Sequence, residues 1–421
     1  MKIAIYGTSR SGKDYQISHI ISHLNENDVS AIHIPGSTKL NELADEIYGS
    51  KFKELSDDKK HHLREEFINL ISDFDAKYEV VFVDGHFAFP SDVKQGGFDI
   101  VFTESDKNCY DHFFYLDTDS ELIIKNSRQS VGDKKNTDIQ TKDIEAWKAF
   151  EISAMQTMCS SLKKELVILD EDTQSCVEFV LSWVKCFRQN YDYQSIAKDL
   201  VRKLLSEVEI TDISEVLAID CDNTFATNDT TYDYCSYLEI DAKILKKIFV
   251  GDRYSSYQFF KANKLYTQFN KQKRTEASLF AKEKIKISAD IERVVENQKY
   301  SFVIALTSGL TEIWQPKIEE LGSINTLYGN TSNIQSPYFV TPLFKKFFVE
   351  EIRNHNIKVT SIGDSIIDVP MLESSDIGLI VAHRKINKAV MEYLKQNNQS
   401  SIAQLFAKDW LYPVKQISGV S

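Results

Sequence analysis

The sequence predicts an α/β chain of two doubly wound domains, each built on a parallel sheet, with a mainly helical cap inserted in the second. Three observations lead there. Short apolar runs alternate with longer helical patterns in two separate series. The first strand of each series runs directly into a polar motif rich in Gly or Asp. Finally, 421 residues exceed the about 250–300 at which a single core divides.

In the first series, Lys2–Tyr6, Ala31–Pro35, Glu79–Asp84, His112–Leu116 and Leu166–Leu169 are continuous apolar runs, as expected for strands covered on both faces. Helical periodicity fills Lys13–Leu24 and Asp57–Ser72 between them. Thr173–Phe187 and Ser195–Val208 follow as helices around the polar Arg188–Tyr193. The expected division is therefore 1–187, a helical connection over 188–214, and a second domain over 215–421. In the second series, strands are predicted at Val216–Asp220, Ser301–Thr307, Lys358–Ile362 and Gly378–Val381, with a helix over Leu343–His355. The stretch from about 231 to 296 is too long for a loop in a compact sheet and is predicted as a helical insertion.

Composition excludes several classes. Acidic residues exceed basic ones by 12, which argues against coating duplex nucleic acid or an anionic membrane, both driven by Lys and Arg. No stretch reaches the roughly 18 apolar residues of a spanning helix. Cys109, Cys159, Cys176, Cys186, Cys221 and Cys235 lack CxxC pairing and are expected as reduced thiols of a cytoplasmic protein.

The segment Gly7-Thr8-Ser9-Arg10-Ser11-Gly12-Lys13-Asp14 leaves a predicted strand and opens a predicted helix. Backbone N–H groups at this spacing can wrap a polyphosphate, with Lys13 on the outer phosphates. Asp14 stands where a hydroxyl would ordinarily hold Mg2+. The loop resembles that of the P-loop kinase superfamily, in a version similar to nucleoside monophosphate kinases, over about residues 1–185. That resemblance implies ATP with Mg2+ and transfer of a phosphoryl group to a small nucleotide-like or phosphorylated metabolite. Asp84, closing the third strand, would orient Mg2+ or take the acceptor's proton. Arg128, with Lys134 and Lys135, falls where a cationic lid is expected. Lys39 and Arg64 could meet an anionic acceptor.

In the second series, Asp220-Cys221-Asp222-Asn223-Thr224 sets two carboxylates at a strand end, and like charges so close call for a shared cation. Gly363-Asp364-Ser365-Ile366-Ile367-Asp368 repeats the device. Between them, Thr307-Ser308 closes a strand and Lys345-Lys346 opens a helix. This order resembles the haloacid dehalogenase superfamily, in its phosphoserine phosphatase-like branch, over about Glu215–Ala382. The resemblance implies Mg2+-dependent phosphomonoester hydrolysis. Asp220 would be the nucleophile and Asp222 the proton donor and base. Thr307 and Lys345, or Lys346, would hold phosphoryl oxygens, and Asp220, Asp222, Asp364 and Asp368 would form the metal site. Asn223 stands where many relatives have Gly, a change expected to alter the turn only. Arg253, Tyr254, Lys261, Lys264 and Tyr266 are the expected substrate contacts in the cap.

The two motifs together describe a kinase/phosphatase acting on a small phosphorylated substrate. Two other readings stay open. Polynucleotide 5′-kinase/3′-phosphatase end healing fits the domain order and runs against the net charge. An ATP-sensing P-loop domain gating a phosphatase fits Lys13 with Asp14 behind it. The sequence leaves the oligomeric state undetermined.

Overall fold

The computed structural model describes residues 1–91, 97–129, 140–187, 192–207, 213–250, 254–297, 299–334, 338–381, 387–397 and 402–405. The chain forms two compact units, Met1–Asn190 and Tyr191–Ser421.

The first unit carries strands β1 (Lys2–Tyr6), β2 (Ala31–Pro35), β3 (Val80–Gly85), β4 (Ala88–Pro90), β5 (Phe98–Ile100), β6 (His112–Leu116) and β7 (Leu166–Leu169). Five of these make a parallel sheet in the order β2-β3-β1-β6-β7, and β4 and β5 form an antiparallel ribbon. Residues 3–6, 80–83 and 113–116 are buried, which is why these runs read as unbroken apolar strings. The order reverses at β1, so its carboxyl end, where Gly7 begins, opens on the crevice in which doubly wound sheets bind ligands. The register sets Tyr6 beside Gly85 and Tyr115, bringing the ends of β3 and β6 to the loop that follows β1.

The second unit holds β8 (Glu215–Ile219), β9 (Phe302–Leu310), β10 (Thr326–Asn330), β11 (Lys358–Gly363), β12 (Ile377–Val381) and β13 (Ala403–Leu405). They form one parallel sheet in the order β10-β9-β8-β11-β12-β13, with the reversal at β8. Helices Thr230–Tyr237, Ala242–Ile248, Ser256–Tyr266, Lys271–Glu283 and Ala289–Val295 fill the segment between β8 and β9. Their apolar faces share one core with β8, β9 and the buried Trp314.

Helix Tyr193–Glu207, assigned by the sequence to a connection, packs on helix Pro342–Asn354 of the second unit. Its buried Ile196, Ala197, Val201, Leu204 and Leu205 recur at helical spacing and need a surface to cover. Strands β4, β5, β10 and β13 have no counterpart in the predicted set. β4, β5 and β13 are three residues long, and β10 is a half-buried sheet edge with Gly329 in its sequence, so none shows an apolar run. Five cysteines are buried, Cys186 is half-buried, and all six are free thiols. No helix among the described residues is long and apolar enough to cross a membrane.

Candidate active site

In the second unit the carboxyl ends of β8, β9 and β11 meet at the reversal point. Ile219 pairs with Ala305 on one side and Ile362 on the other, and the Asp220 N–H still donates to Ile362 O at 2.9 Å. Asp220, Thr307 and Asp364 therefore leave neighbouring strands at the same level. The chain turns sharply after Asp220, with Asn223 left-handed at φ 54° and its N–H donating to Asn228 O at 3.1 Å. Asparagine tolerates that region better than most residues, as the turn requires.

Lys345 reaches the aspartates from helix Pro342–Asn354, which Thr341 caps through its hydroxyl on Phe344 N–H. Its ammonium donates to Asp220 Oδ1 at 2.8 Å and to Asp368 Oδ1 at 2.6 Å. Consecutive helix residues point about 100° apart, so only one of the two lysines can face the sheet. Lys346 faces outward, half-buried, 4.0 Å from Glu350. Asp368 Oδ2 accepts from Asp364 N–H, Ser365 N–H and Ser365 Oγ at 3.0–3.2 Å, which fixes the loop carrying Asp364. Thr224 Oγ1 donates to Asp364 Oδ1 at 3.3 Å.

Ligand atoms of Asp220, Asp364 and Asp368 lie within 4.8 Å of one another. Three carboxylates around one ammonium carry excess negative charge, a donor set that suits a hard divalent cation such as Mg2+. The electrostatics agree. Burial raises the Asp220 carboxyl above the ordinary range against the pull of Lys345, with Asp368 and Asp222 adding to the rise. Burial, then Asp368 and Asp220, raise Asp364 in the same sense. Burial works to lower the Lys345 ammonium, but Asp220 and Asp368 outweigh it and keep it charged.

Asp222, expected among the metal ligands, is not part of this three-aspartate cluster. Its Oδ1 accepts from Thr230 N–H and Oγ1, both at 2.7 Å, and its Oδ2 from the Trp314 indole at 3.3 Å. The carboxylate is directed to these donors and stands outside the three-aspartate cluster. Burial and the nearby Asp229 push its pKa up, which suits a group that must hold a proton before giving it away. A Cβ at Gly309 would sit 2.3 Å from Asp222 Oδ2, so only glycine lets β9 pass this close. Thr307 Oγ1 accepts from Gly309 N–H at 3.0 Å, and Ser308 is tied to Val340 O at 2.7 Å.

A cavity of about 370 Å3 opens over the aspartates. Of the expected cap contacts, Tyr254 and Tyr266 line it. Lys261 is instead buried with its ammonium 5.1 Å from the Tyr257 ring, Lys264 is not part of the wall, and Arg253 lies outside the described residues. Tyr232, Lys246 and Phe249 line it without having been singled out. Thr230 and Trp314, the partners of Asp222, carry no sequence motif that would have found them.

In the first unit, Gly7–Lys13 forms the turn between β1 and helix Lys13–Glu26. Gly12 caps that helix at φ 88°, and Arg10 is also left-handed at φ 66°. The buried Lys13 ammonium donates to Gly7 O at 2.8 Å and Thr8 O at 3.1 Å. Burial lowers its pKa, opposed by Asp84, Glu151 and Asp14. The buried Thr8 and Ser11 hydroxyls have no hydrogen-bond partner among the described residues. Ser9 is half-buried in the same turn.

Asp84 Oδ1 accepts from His33 Nε2 at 2.9 Å and Gly36 N–H at 3.2 Å. Burial would raise its pKa, but His33, Lys13 and the Gly36 N–H outweigh it and hold the carboxylate below its usual value. His33, which the sequence did not flag, also stands 3.9 Å from the largely exposed Asp14, and the three offer ligand atoms within 4.8 Å. Helix Ser120–Gln129 touches the loop through Asn126 Nδ2 on Arg10 O at 3.2 Å, and Arg128 is exposed in its last turn. Lys134 and Lys135 lie outside the described residues. Of the residues expected to meet an anionic acceptor, Lys39 pairs with Glu42 at 2.7 Å, and the Arg64 guanidinium lies 5.5 Å from the Phe52 ring.

No family model matches the chain, and no curated protein matches it. Several solved structures show partial similarity to it. A substrate-bound phosphoserine phosphatase is 15% identical, covering 44% of this chain and 97% of its own, with a TM-score of 0.33. A phospho-aspartyl intermediate analogue of phosphoserine phosphatase is 15% identical over 46% of this chain and 93% of its own, at a TM-score of 0.31. Shikimate kinase from Bacteroides thetaiotaomicron is 15% identical over 44% of this chain and 98% of its own, at 0.29.

Proposed function

We propose that the second unit hydrolyses a phosphomonoester through an aspartyl-phosphate. One observation carries this reading: the buried Asp220, Asp368 and Lys345 converge with the half-buried Asp364 at the reversal point of a parallel sheet and beneath an open cavity. An Asp220 oxygen attacks phosphorus, the bond to the leaving alcohol breaks, and Asp222 hands its proton to the departing oxygen. Asp222, now a carboxylate, takes a proton from water as that water attacks the aspartyl-phosphate, releasing phosphate and restoring Asp220. Lys345 and Thr307 hold phosphoryl oxygens. Asp220, Asp364 and Asp368 would hold Mg2+, which supplies positive charge for the phosphoryl oxygens. The test is steady-state hydrolysis of an aryl phosphate with Mg2+. Asp220→Asn should lower kcat by about a thousandfold or more, and an unchanged rate refutes the assignment.

We also propose that the first unit binds ATP at Gly7–Asp14 and transfers its terminal phosphoryl group to a small phosphorylated acceptor, with Asp84 as base or Mg2+ partner and Arg128 on the closing side. The buried, unpartnered Thr8 and Ser11 hydroxyls favour a ligand in this loop. The six free thiols suit a reducing, cytoplasmic location.

A further inference from the structure

The cavity over Asp220 is much larger than a phosphoryl group needs. At about 370 Å3 it falls in the range of about 300–1,000 Å3 typical of sites that enclose a whole small molecule. What it must recognise beyond phosphorus can be read from its outer wall.

That wall is a run of aromatic rings. Tyr254 lies on Phe249 with centroids 5.5 Å apart and planes 18° from parallel, and Phe249 meets Phe259 at 5.2 Å. Phe249 and Tyr254 are only half-buried, and Tyr232 on the same cavity is 43% exposed. Large rings left open to solvent inside a cavity offer a flat apolar face to a ligand.

Positive charge is scarce by comparison. Apart from Lys345, which is bound to two aspartates, Lys246 is the only cation lining the cavity among the described residues. The one acid outside the central cluster and Asp222 is Asp229, which caps helix Thr230–Tyr237 by accepting from Thr231 N–H at 2.9 Å. Such a wall offers few ionic contacts to a leaving group and a broad flat face to a planar ring.

We propose that the phosphomonoester taken here is a nucleoside phosphate whose base stacks against the Phe249–Tyr254 face, with Lys246 at the rim. This rests on the hydrolase reading of the same site. The chemistry is shared by free mononucleotides and phosphorylated oligonucleotide ends.

The test compares kcat/KM of the full-length protein, with Mg2+, for nucleoside 5′- and 3′-monophosphates, 3′-phosphorylated oligonucleotides, phosphoserine and β-glycerol phosphate. Nucleoside phosphates should exceed phosphoserine by about tenfold or more, in line with the contribution of base stacking on aromatic side chains. Phe249→Ala, and independently Tyr254→Ala, should lower the ratio of nucleoside phosphate to β-glycerol phosphate by about tenfold, mainly through KM. Phe249→Tyr should restore it. A mononucleotide favoured over the oligonucleotide, or the reverse, identifies the source and supports the proposal either way. A preference for phosphoserine, or an unchanged ratio in both alanine variants, overturns the stacking while leaving the hydrolase reading intact. If wild-type protein hydrolyses none of these esters, β-glycerol phosphate included, the hydrolase reading falls and this inference with it.

Discussion

Both units place polar chemistry where a parallel sheet reverses its strand order, yet they prepare their charges in opposite ways. In the second unit Lys345 already bridges Asp220 and Asp368, and the neighbouring carboxyls are held above their usual range by burial and mutual repulsion. In the first, Lys13 is folded back on the carbonyls of its own loop, and Asp84 is held below the usual range by His33, Lys13 and a backbone N–H. One site is assembled and short of positive charge. The other keeps its cation on neutral acceptors of its own loop.

The lysines test that contrast most strongly. Lys345→Ala leaves buried aspartates without their ammonium, and removing one partner of such a group costs about 3–5 kcal/mol. Denaturant unfolding should show that loss, along with loss of hydrolysis. A change below about 1 kcal/mol would mean that the aspartates do not depend on the lysine.

Lys13→Ala should be mild for the fold, since only hydrogen bonds to two carbonyls are lost, at about 1 kcal/mol each. Its effect should appear in binding, as an about tenfold or greater loss of ATP affinity by calorimetry. Equal affinity in the variant would remove ATP from this loop.

The smallest effect concerns Asp84. Its pKa in the folded chain lies below the ordinary 3.8, so its contribution is present above that value and is lost as pH falls through the lower folded value. Asp84→Asn should therefore cost about 1–2 kcal/mol at neutral pH, and the gap to wild type should begin to narrow only below about pH 4. A gap that does not narrow at all as the pH is lowered below about 4 would show that the carboxylate's charge is not what matters.

Much of this arrangement was legible because burial on both sheet faces writes strands as unbroken apolar runs. His112–Leu116 and Leu166–Leu169 were bounded to the residue. The edge strand Thr326–Asn330 was not, because an edge needs no such run. Acids at strand ends were equally visible, since Asp220, Asp364 and Asp368 are costly side by side without a purpose. Helix phase was not visible. It decides between Lys345 and Lys346, and it sends Tyr193–Glu207 onto the second unit. Asp222 was identified as a chemical group, but its direction depends on Thr230 and Trp314, one eight residues and the other 92 residues away. No local pattern encodes that meeting.

The left-handed Asn223 bears on how the site can vary over time. Branched or bulky side chains are strained at positive φ, so residue 223 is confined to a short menu of Gly, Asn and Asp. The step from Gly to Asn keeps the turn, while a step to Asp would add a charge beside two buried carboxyls. Asn and Gly are therefore the two residues between which this position can drift without disturbing Asp220 and Asp222.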